Sequence, residues 1–289
     1  MNHLFCFGMG YSARCLARRL AAEGWRVTGT SRSSEGAEAI ARDGFEGLVF
    51  DGTARGAGIR EALQDTTHIV VSVPPGGPQD PVLVHHGDDI AQAPALKWIG
   101  YLSTTGVYGD HQGAWIDEET PATPRSERSR QRAAAEQAWL ALGARSGHRV
   151  QVFRLSGIYG PGRSPIDRLK AGTAQSVVKP GQVFNRIHVD DIAETLIAAM
   201  AGRGRHEIYN VTDDEPAPAQ DVMAYAADLL QMPPPPEIDF EDAQLSDMAK
   251  SFYVENKRTS NARLRGDLGV ELKFPSYREG LRAILAGGE

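Results

Sequence analysis

Short apolar runs alternate with longer amphipathic ones through the first half of the chain. Leu4–Phe7 predicts a strand, and Ser12–Glu23 the helix after it, with Leu16 and Leu20 on one face at helical spacing. Trp25–Thr30 predicts the next strand, Glu35–Arg42 a helix and Phe45–Phe50 a third strand. His68–Val73 is a continuous run rich in β-branched residues, the pattern of a strand covered on both faces. Leu96–Leu102 reads as a strand, and Ser126–Leu142 as a long helix with Thr123 as N-cap and Pro124 at its first position. Arg149–Leu155 is a further strand. Alternation of this kind predicts an α/β fold, a parallel sheet with helices on both faces.

Beyond about residue 155 the rhythm changes, and turn residues gather in Gly157-Ile158-Tyr159-Gly160-Pro161-Gly162-Arg163. Asp190–Met200 predicts a helix and Glu207–Val211 a late strand. A helix over 219–231 runs into Pro233–Pro236, read as a stiff connector rather than as a polyproline ligand for a recognition module. The tail, 237–289, carries helical segments around Thr259–Leu268 and Ser276–Leu285. The expected organisation is an α/β domain over 1–155, with returning segments near 183–211. A small C-terminal lobe over 160–182 and 212–289 would cover its ligand edge.

The first loop carries the clearest chemistry. Gly8-Met9-Gly10-Tyr11-Ser12-Ala13 has the form G-x-G-x-x-A, directly after a strand and opening a helix. The first glycine permits the tight turn, the second lets backbone approach a pyrophosphate, and the small Ala13 lets helix and strand close up. The anion would rest on the helix N-terminus, where free N–H groups point at it. An acid about 20 residues on would bind the ribose 2′-hydroxyl of NAD. Here Thr30-Ser31-Arg32-Ser33 offers hydroxyls and a guanidinium instead, a set suited to the 2′-phosphate of NADP. NADP is therefore the expected cofactor, ahead of NAD. Asp51, closing the third strand, would lie near the adenine or serve as a turn cap.

Composition narrows the partners. Hydrophobic residues make up 41% and charged residues 24% of the 289, which excludes wholesale disorder. A formal charge of -6 argues against nucleic acid or an anionic membrane surface as partner. Only 6 of the 31 basic residues are lysines. Arginine is the better planar clamp for carboxylate and phosphate, so an anionic small-molecule substrate remains open. Cys6 and Cys15 form no disulfide framework and no metal spacing. With no signal-like N-terminus and no run of 18 apolar residues, a cytoplasmic protein is expected.

Five segments in order resemble the extended short-chain dehydrogenase/reductases of the NAD-dependent epimerase/dehydratase kind. They are Gly8–Ala13, Leu102–Gly109 (LSTTGVYG), Arg154–Arg163, Ile187–Ala193 (IHVDDIA) and Tyr209-Asn210-Val211. The resemblance covers nearly the whole chain. It implies a doubly wound Rossmann sheet with a small substrate lobe, and a Ser/Thr, a Tyr and a Lys as chemical machinery. The Ser/Thr position falls on Thr104, beside Ser103. With Glu136 matched to the family's later glutamate, the Tyr position holds Arg128 and the Lys position Arg132. No tyrosine lies between Tyr108 and Tyr159, so the chain resembles the atypical members that lack the pair. Val73, Pro74, Leu102 and Ser156, at the ends of further strands, complete the expected cofactor contacts.

Arg132 can still donate to a ribose hydroxyl. Arg128 stays protonated, so it can polarise a carbonyl or clamp an anion but cannot act as an acid or base. Both, with Arg125 and Arg130, can equally form a solvated helix face. Tyr108 and Tyr159 are alternative proton donors at strand ends, or structural residues. His188 reads as a packed core histidine, and His85-His86 with Asp88-Asp89 as a polar loop or helix start rather than a metal site. The resemblance also implies a homodimer through the long helix, whose arginine-rich face argues against it. Two readings stand: an NADP(H)-dependent enzyme acting on a carbonyl or alcohol, nucleotide-sugars included, and a non-catalytic NAD(P)(H)-binding sensor or regulator.

Overall fold

In the computed structural model, which describes residues 2–287, strands and helices alternate from the start. The strands are β1 His3–Phe7, β2 Arg26–Ser31, β3 Glu46–Val49, β4 His68–Val71, β5 Trp98–Thr104, β6 Trp115–Ile116, β7 Arg149–Leu155, β8 Gly157–Tyr159, β9 Ser176–Val178, β10 Arg186–His188, β11 Ile208–Val211, β12 Glu237–Asp239 and β13 Arg258–Thr259. The helices are α1 Tyr11–Ala22, α2 Ser34–Arg42, α3 Ile59–Ala62, α4 Pro81–Ala91, α5 Glu127–Ser146, α6 Pro165–Lys170, α7 Val189–Met200, α8 Ala219–Leu229, α9 Asp247–Ser251, α10 Ala262–Gly266 and α11 Tyr277–Ala286.

Seven strands form one sheet in the order β3-β2-β1-β4-β5-β7-β11. Every pairing in it is parallel. The winding direction reverses between β1 and β4, which opens a crevice at the carboxyl ends of those strands. Both faces are covered, and successive residues of β1 serve opposite layers. Leu4 and Cys6 join Leu16, Val70 and Leu196 on one side, while Phe5 and Phe7 join Ile69, Tyr101 and Trp139 on the other.

One local reading changes. Ser126, not Thr123, caps α5, accepting from the Ser129 N–H at 3.1 Å. Thr123 instead donates its hydroxyl to the Tyr108 carbonyl at 2.6 Å, pinning the loop before the helix. The stretch holding His85 and His86 is a helix, α4, begun by Asp80 as N-cap and Pro81 at its first turn. His86 and Asp89 are held within the fold: His86 Nδ1 lies 3.1 Å from Asp89, and Nε2 accepts from the Gly56 N–H. Among the described residues no group of three His, Cys, Asp or Glu could hold a metal ion.

The lobe has a small core of Tyr159, Ile166, Leu169, Val222, Met223, Tyr277 and Leu281. A second cluster gathers Val177, Ala243 and Tyr253. The tail is divided between lobe and sheet. Leu264, Leu268, Val270 and Leu272 pack with Leu4, Leu16 and Leu196 against the first domain, because these side chains extend the apolar layer over α1 and α7. The tail therefore does not lie wholly in the lobe. Pro233–Pro236 connects α8 to β12 without regular structure. No described helix is long and apolar enough to cross a membrane.

Candidate active site

The glycine loop sits at the carboxyl end of β1. Gly8 has φ +85°, and a Cβ there would lie 3.0–3.2 Å from Ser72 Oγ, Val73 Cγ2 and the Val73 nitrogen. Its N–H donates to Thr30 Oγ1 at 2.8 Å, and its carbonyl accepts from Ser72 Oγ at 2.5 Å. Met9 turns inward, buried beneath Gly29. Gly10 is different: a Cβ there would meet nothing within 4 Å. The protein's own packing does not require that glycine, whereas close approach of a ligand to the backbone does. Gly10 is the N-cap of α1, with no side chain capping the helix, so its first N–H groups are free for an anion. Ser12 and Ala13 are buried under the loop. The Tyr11 hydroxyl donates to the Pro161 carbonyl at 2.9 Å and ties the loop to the lobe.

At the end of β2, Ser31 is half-buried and Arg32 exposed, with no ion pair to a described residue. Ser33 is spent as the N-cap of α2. Asp51 is exposed and accepts from both the N–H and the hydroxyl of Thr53 at 2.8 Å, so it caps its own turn. Those bonds hold its carboxyl below the usual range. Val73 borders Gly8, and Pro74 is exposed beside it. Ser156, just past β7, is 7% exposed, and its Oγ is buried without a hydrogen-bond partner. Such an orphan is costly unless another group satisfies it. With Gly10 open and the α1 terminus uncapped, these residues fit a dinucleotide laid across the crevice.

The β5–α5 side is arranged otherwise. Thr104 is half-buried, and its Oγ1 accepts from the Gly106 N–H at 3.1 Å. Ser103 is buried and donates to the Glu136 carboxylate. Glu136 also pairs with Arg154 at 2.7 Å, with the two side chains 1% and 4% exposed. Ser103 thus belongs to a buried ionic network. Tyr108 is withdrawn from the crevice as well. It is wholly buried, its hydroxyl donates to Asn210 Oδ1 at 2.8 Å, and Arg154 lies 4.6 Å from its ring centre. Burial pushes its phenol pKa up, away from any acid role near neutrality. Tyr159 is buried, with its hydroxyl on the Ser276 carbonyl at 3.3 Å. His188 caps α7 by accepting at Nδ1 from the Asp190 N–H, and burial lowers its pKa to about 4. It is a neutral core histidine.

Arg128 and Arg132 part company. Arg132 is 9% exposed, and its Nη1 donates to the Tyr101 hydroxyl at 3.1 Å and the Leu102 carbonyl at 3.0 Å. Arg128 is exposed, with no ion pair to a described residue. Two further residues border the site. The Ser129 hydroxyl is buried beside Gly106, and Thr104 Oγ1 borders the same Cβ side of that glycine. Asp80 is 3% exposed with one carboxylate oxygen unpartnered, and its pKa is raised by burial. Neither falls in a segment that carries the resemblance, and only the cap pattern Asp80-Pro81 hinted at the second.

Residues 89–212 match the family model described as the NAD dependent epimerase/dehydratase family. Protein YeeZ of Escherichia coli K12 is 31% identical over 95% of this chain and 97% of its own. A conserved protein of unknown function from Silicibacter pomeroyi DSS has the same structure at a TM-score of 0.91, with 50% identity over 99% of both chains. A putative NAD-dependent epimerase/dehydratase from Methylobacillus flagellatus follows at 0.73, with 28% identity over 99% of this chain and 98% of that one.

Proposed function

The chain belongs to the NAD-dependent epimerase/dehydratase family, and from that premise we propose that it is an NADP(H)-dependent oxidoreductase acting on a carbonyl or alcohol of a small molecule. One observation carries the cofactor choice: the exposed Arg32 at the end of β2, with no ion pair to a described residue, where an acid would serve NAD. The cofactor, when bound, supplies or accepts the hydride. Thr104 holds the reacting oxygen by its hydroxyl. Arg132, fixed through Nη1, offers its remaining N–H groups to the ribose. Arg128 adds positive potential at the rim and favours a developing oxyanion or an anionic substrate. Nucleotide-sugars are one class bearing such a carbonyl or alcohol.

Calorimetry with NADPH and NADH tests the cofactor reading. Charge-assisted bonds to a 2′-phosphate are worth about 1.5–3 kcal/mol, so NADPH should bind about ten- to a hundredfold tighter. Arg32→Ala should erase the difference, and equal affinities in the wild type would sink the assignment. The non-catalytic sensor reading is favoured by one fact, the withdrawal of Tyr108 and Tyr159 into buried bonds. It prevails if no candidate carbonyl oxidises NADPH in a single turnover while a partner protein binds only the NADPH-loaded form.

A further inference from the structure

Arg186 opens β10, paired in register with Gly157, the residue after Ser156. One strand spacing, about 4.8 Å, therefore separates the backbone of Arg186 from the edge where the orphaned Ser156 hydroxyl lies. Its Nη1 donates to the Phe184 carbonyl at 2.9 Å and the Ala217 carbonyl at 3.0 Å. Both N–H bonds of that nitrogen are spent, and they fix the plane of the guanidinium. The opposite edge, Nε with Nη2, forms no ion pair with any described residue, although the residue remains half-buried. That edge is a side-on fork of parallel N–H donors, the shape that receives a carboxylate in two hydrogen bonds.

The surroundings set the charge the fork can accept. Asp213 is joined to it through the backbone, its N–H donating to the Arg186 carbonyl at 2.7 Å. It is 1% exposed and has one oxygen without a partner, yet the two side chains do not pair. Asp214 and Glu215 follow, engaged by Arg265 and Arg278. Tyr159, Tyr253 and Tyr277 lie near enough to feel the arginine's charge. A fixed cation beside an acidic run suits one negative charge. Arg168, exposed, is another cation whose charge reaches Arg186, so the site offers an anion a single fixed fork rather than a cluster of buried cations.

We propose that Arg186 anchors the carboxylate of the substrate, so that the protein acts on small hydroxy or oxo acids rather than on nucleotide-linked sugars. The inference deepens the oxidoreductase reading and rests on it for the carbonyl or alcohol. Calorimetric titration of the whole protein, with and without NADP+, decides the matter. The probes are glucuronate, gluconate, glucose and UDP-glucose, applied to wild type, Arg186→Lys and Arg186→Met. The carboxylates should bind wild type at least about tenfold tighter than glucose, and tighter than UDP-glucose. Arg186→Lys keeps the charge but loses the fork, and should weaken them about tenfold; Arg186→Met should weaken them further. NADP+ affinity should stay unchanged in both. Carboxylates bound no better than glucose, UDP-glucose bound more tightly than either acid, or variants within twofold of wild type would overturn the anchor. If Arg186→Met no longer binds NADP+, its fold is lost and the Lys variant alone decides. A wild type that binds carboxylates through Arg186 but not NADP+ keeps the anchor and removes the cofactor reading.

Discussion

The glycine loop and the β5–α5 edge stand side by side at the carboxyl ends of one sheet, and they use their polar groups in opposite ways. Around Gly8–Ala13 the loop backbone is held by its neighbours' hydroxyls: Gly8 bonds those of Thr30 and Ser72, Met9 is tucked under Gly29, and Gly10 and Arg32 are left open. Around Thr104 the side chains are consumed internally. Ser103 serves Glu136, Tyr108 serves Asn210, and one nitrogen of Arg132 serves β5. The first region keeps unsatisfied donors for a ligand, while the second spends its donors on holding itself together. A motif built from backbone and glycine therefore points to binding more directly than a motif built from hydroxyls and phenols, which have competing structural uses.

The largest effect should come from the self-satisfied side. Glu136→Ala leaves Arg154, 4% exposed, as an uncompensated buried charge. Breaking such a pair costs about 3–5 kcal/mol. Urea unfolding should show that loss, and Glu136→Gln should lie between because it still accepts from Ser103 or Arg154. A loss below 1 kcal/mol, on the order of a surface pair, would mean the network is not what holds β5, β7 and α5 together.

Gly10→Val tests the open side. Because a Cβ there meets no protein atom within 4 Å, stability should fall only by the weaker N-cap, about 1 kcal/mol. Cofactor affinity should fall more than about a hundredfold, or about 2.7 kcal/mol, as the valine occupies the pyrophosphate's approach. Unchanged NADPH binding would reduce the loop to a turn. Arg32→Ala should cost NADPH about ten- to a hundredfold and leave NADH alone.

The same contrast explains what could be read in the sequence. The strands and helices of the first domain were legible because burial on both faces leaves continuous apolar runs, as in His68–Val71. The glycine loop was legible because its constraint is conformational and local. Ser103 and Tyr108 were misleading, because their bonds run to Glu136 and Asn210, and the latter is 102 residues away from Tyr108. Nothing near either residue announces that partner. The return of Leu264–Leu272 to the first domain was hidden for the same reason, since a helical apolar face does not say which layer it covers.

A smaller effect separates two neighbours at the start of α7. His188 has its pKa lowered to about 4 by burial, against about 6.5 when unfolded. Its contribution to stability is fully present above the unfolded value and is lost as pH falls toward 4. Asp191 is raised to about 6 by burial, while its carboxylate accepts from the Lys273 and Phe274 N–H groups. Its contribution is present below the unfolded value near 3.8 and is lost as pH rises through 6. The two oppose each other between pH 4 and 6. His188→Asn keeps an acceptor for the cap without titrating, so its unfolding midpoint should fall less steeply than wild type on acidification. Asp191→Asn should fall more steeply. Parallel curves for all three would show that neither group titrates in that window.

The smallest effect belongs to Arg128, and it decides whether the two regions really differ. Arg128 is exposed and has no ion pair to a described residue, whereas Arg132, one turn on, is buried and bonded to β5. An exposed charge acts through water and is screened by salt, so its interaction with an anion at the rim is worth about 0.2–1 kcal/mol. Arg128→Ala should then reduce turnover and substrate affinity by no more than about fivefold, and added salt should shrink even that. Single-turnover NADPH oxidation, followed at the nicotinamide band, gives the comparison with wild type. The Arg128→Tyr, Arg132→Lys double variant supplies the missing contrast by placing a titratable phenol and a lysine one helical turn apart. Generic carbonyl reduction appearing there, with loss of native turnover, would show that α5 faces the cofactor and that its arginines were retuned rather than retired. A hundredfold loss in Arg128→Ala would instead make Arg128 a direct clamp on the reacting group. The β5–α5 edge would then hold an open cation of its own, like Arg32 across the crevice, and the division between an open region and a self-satisfied one would fall.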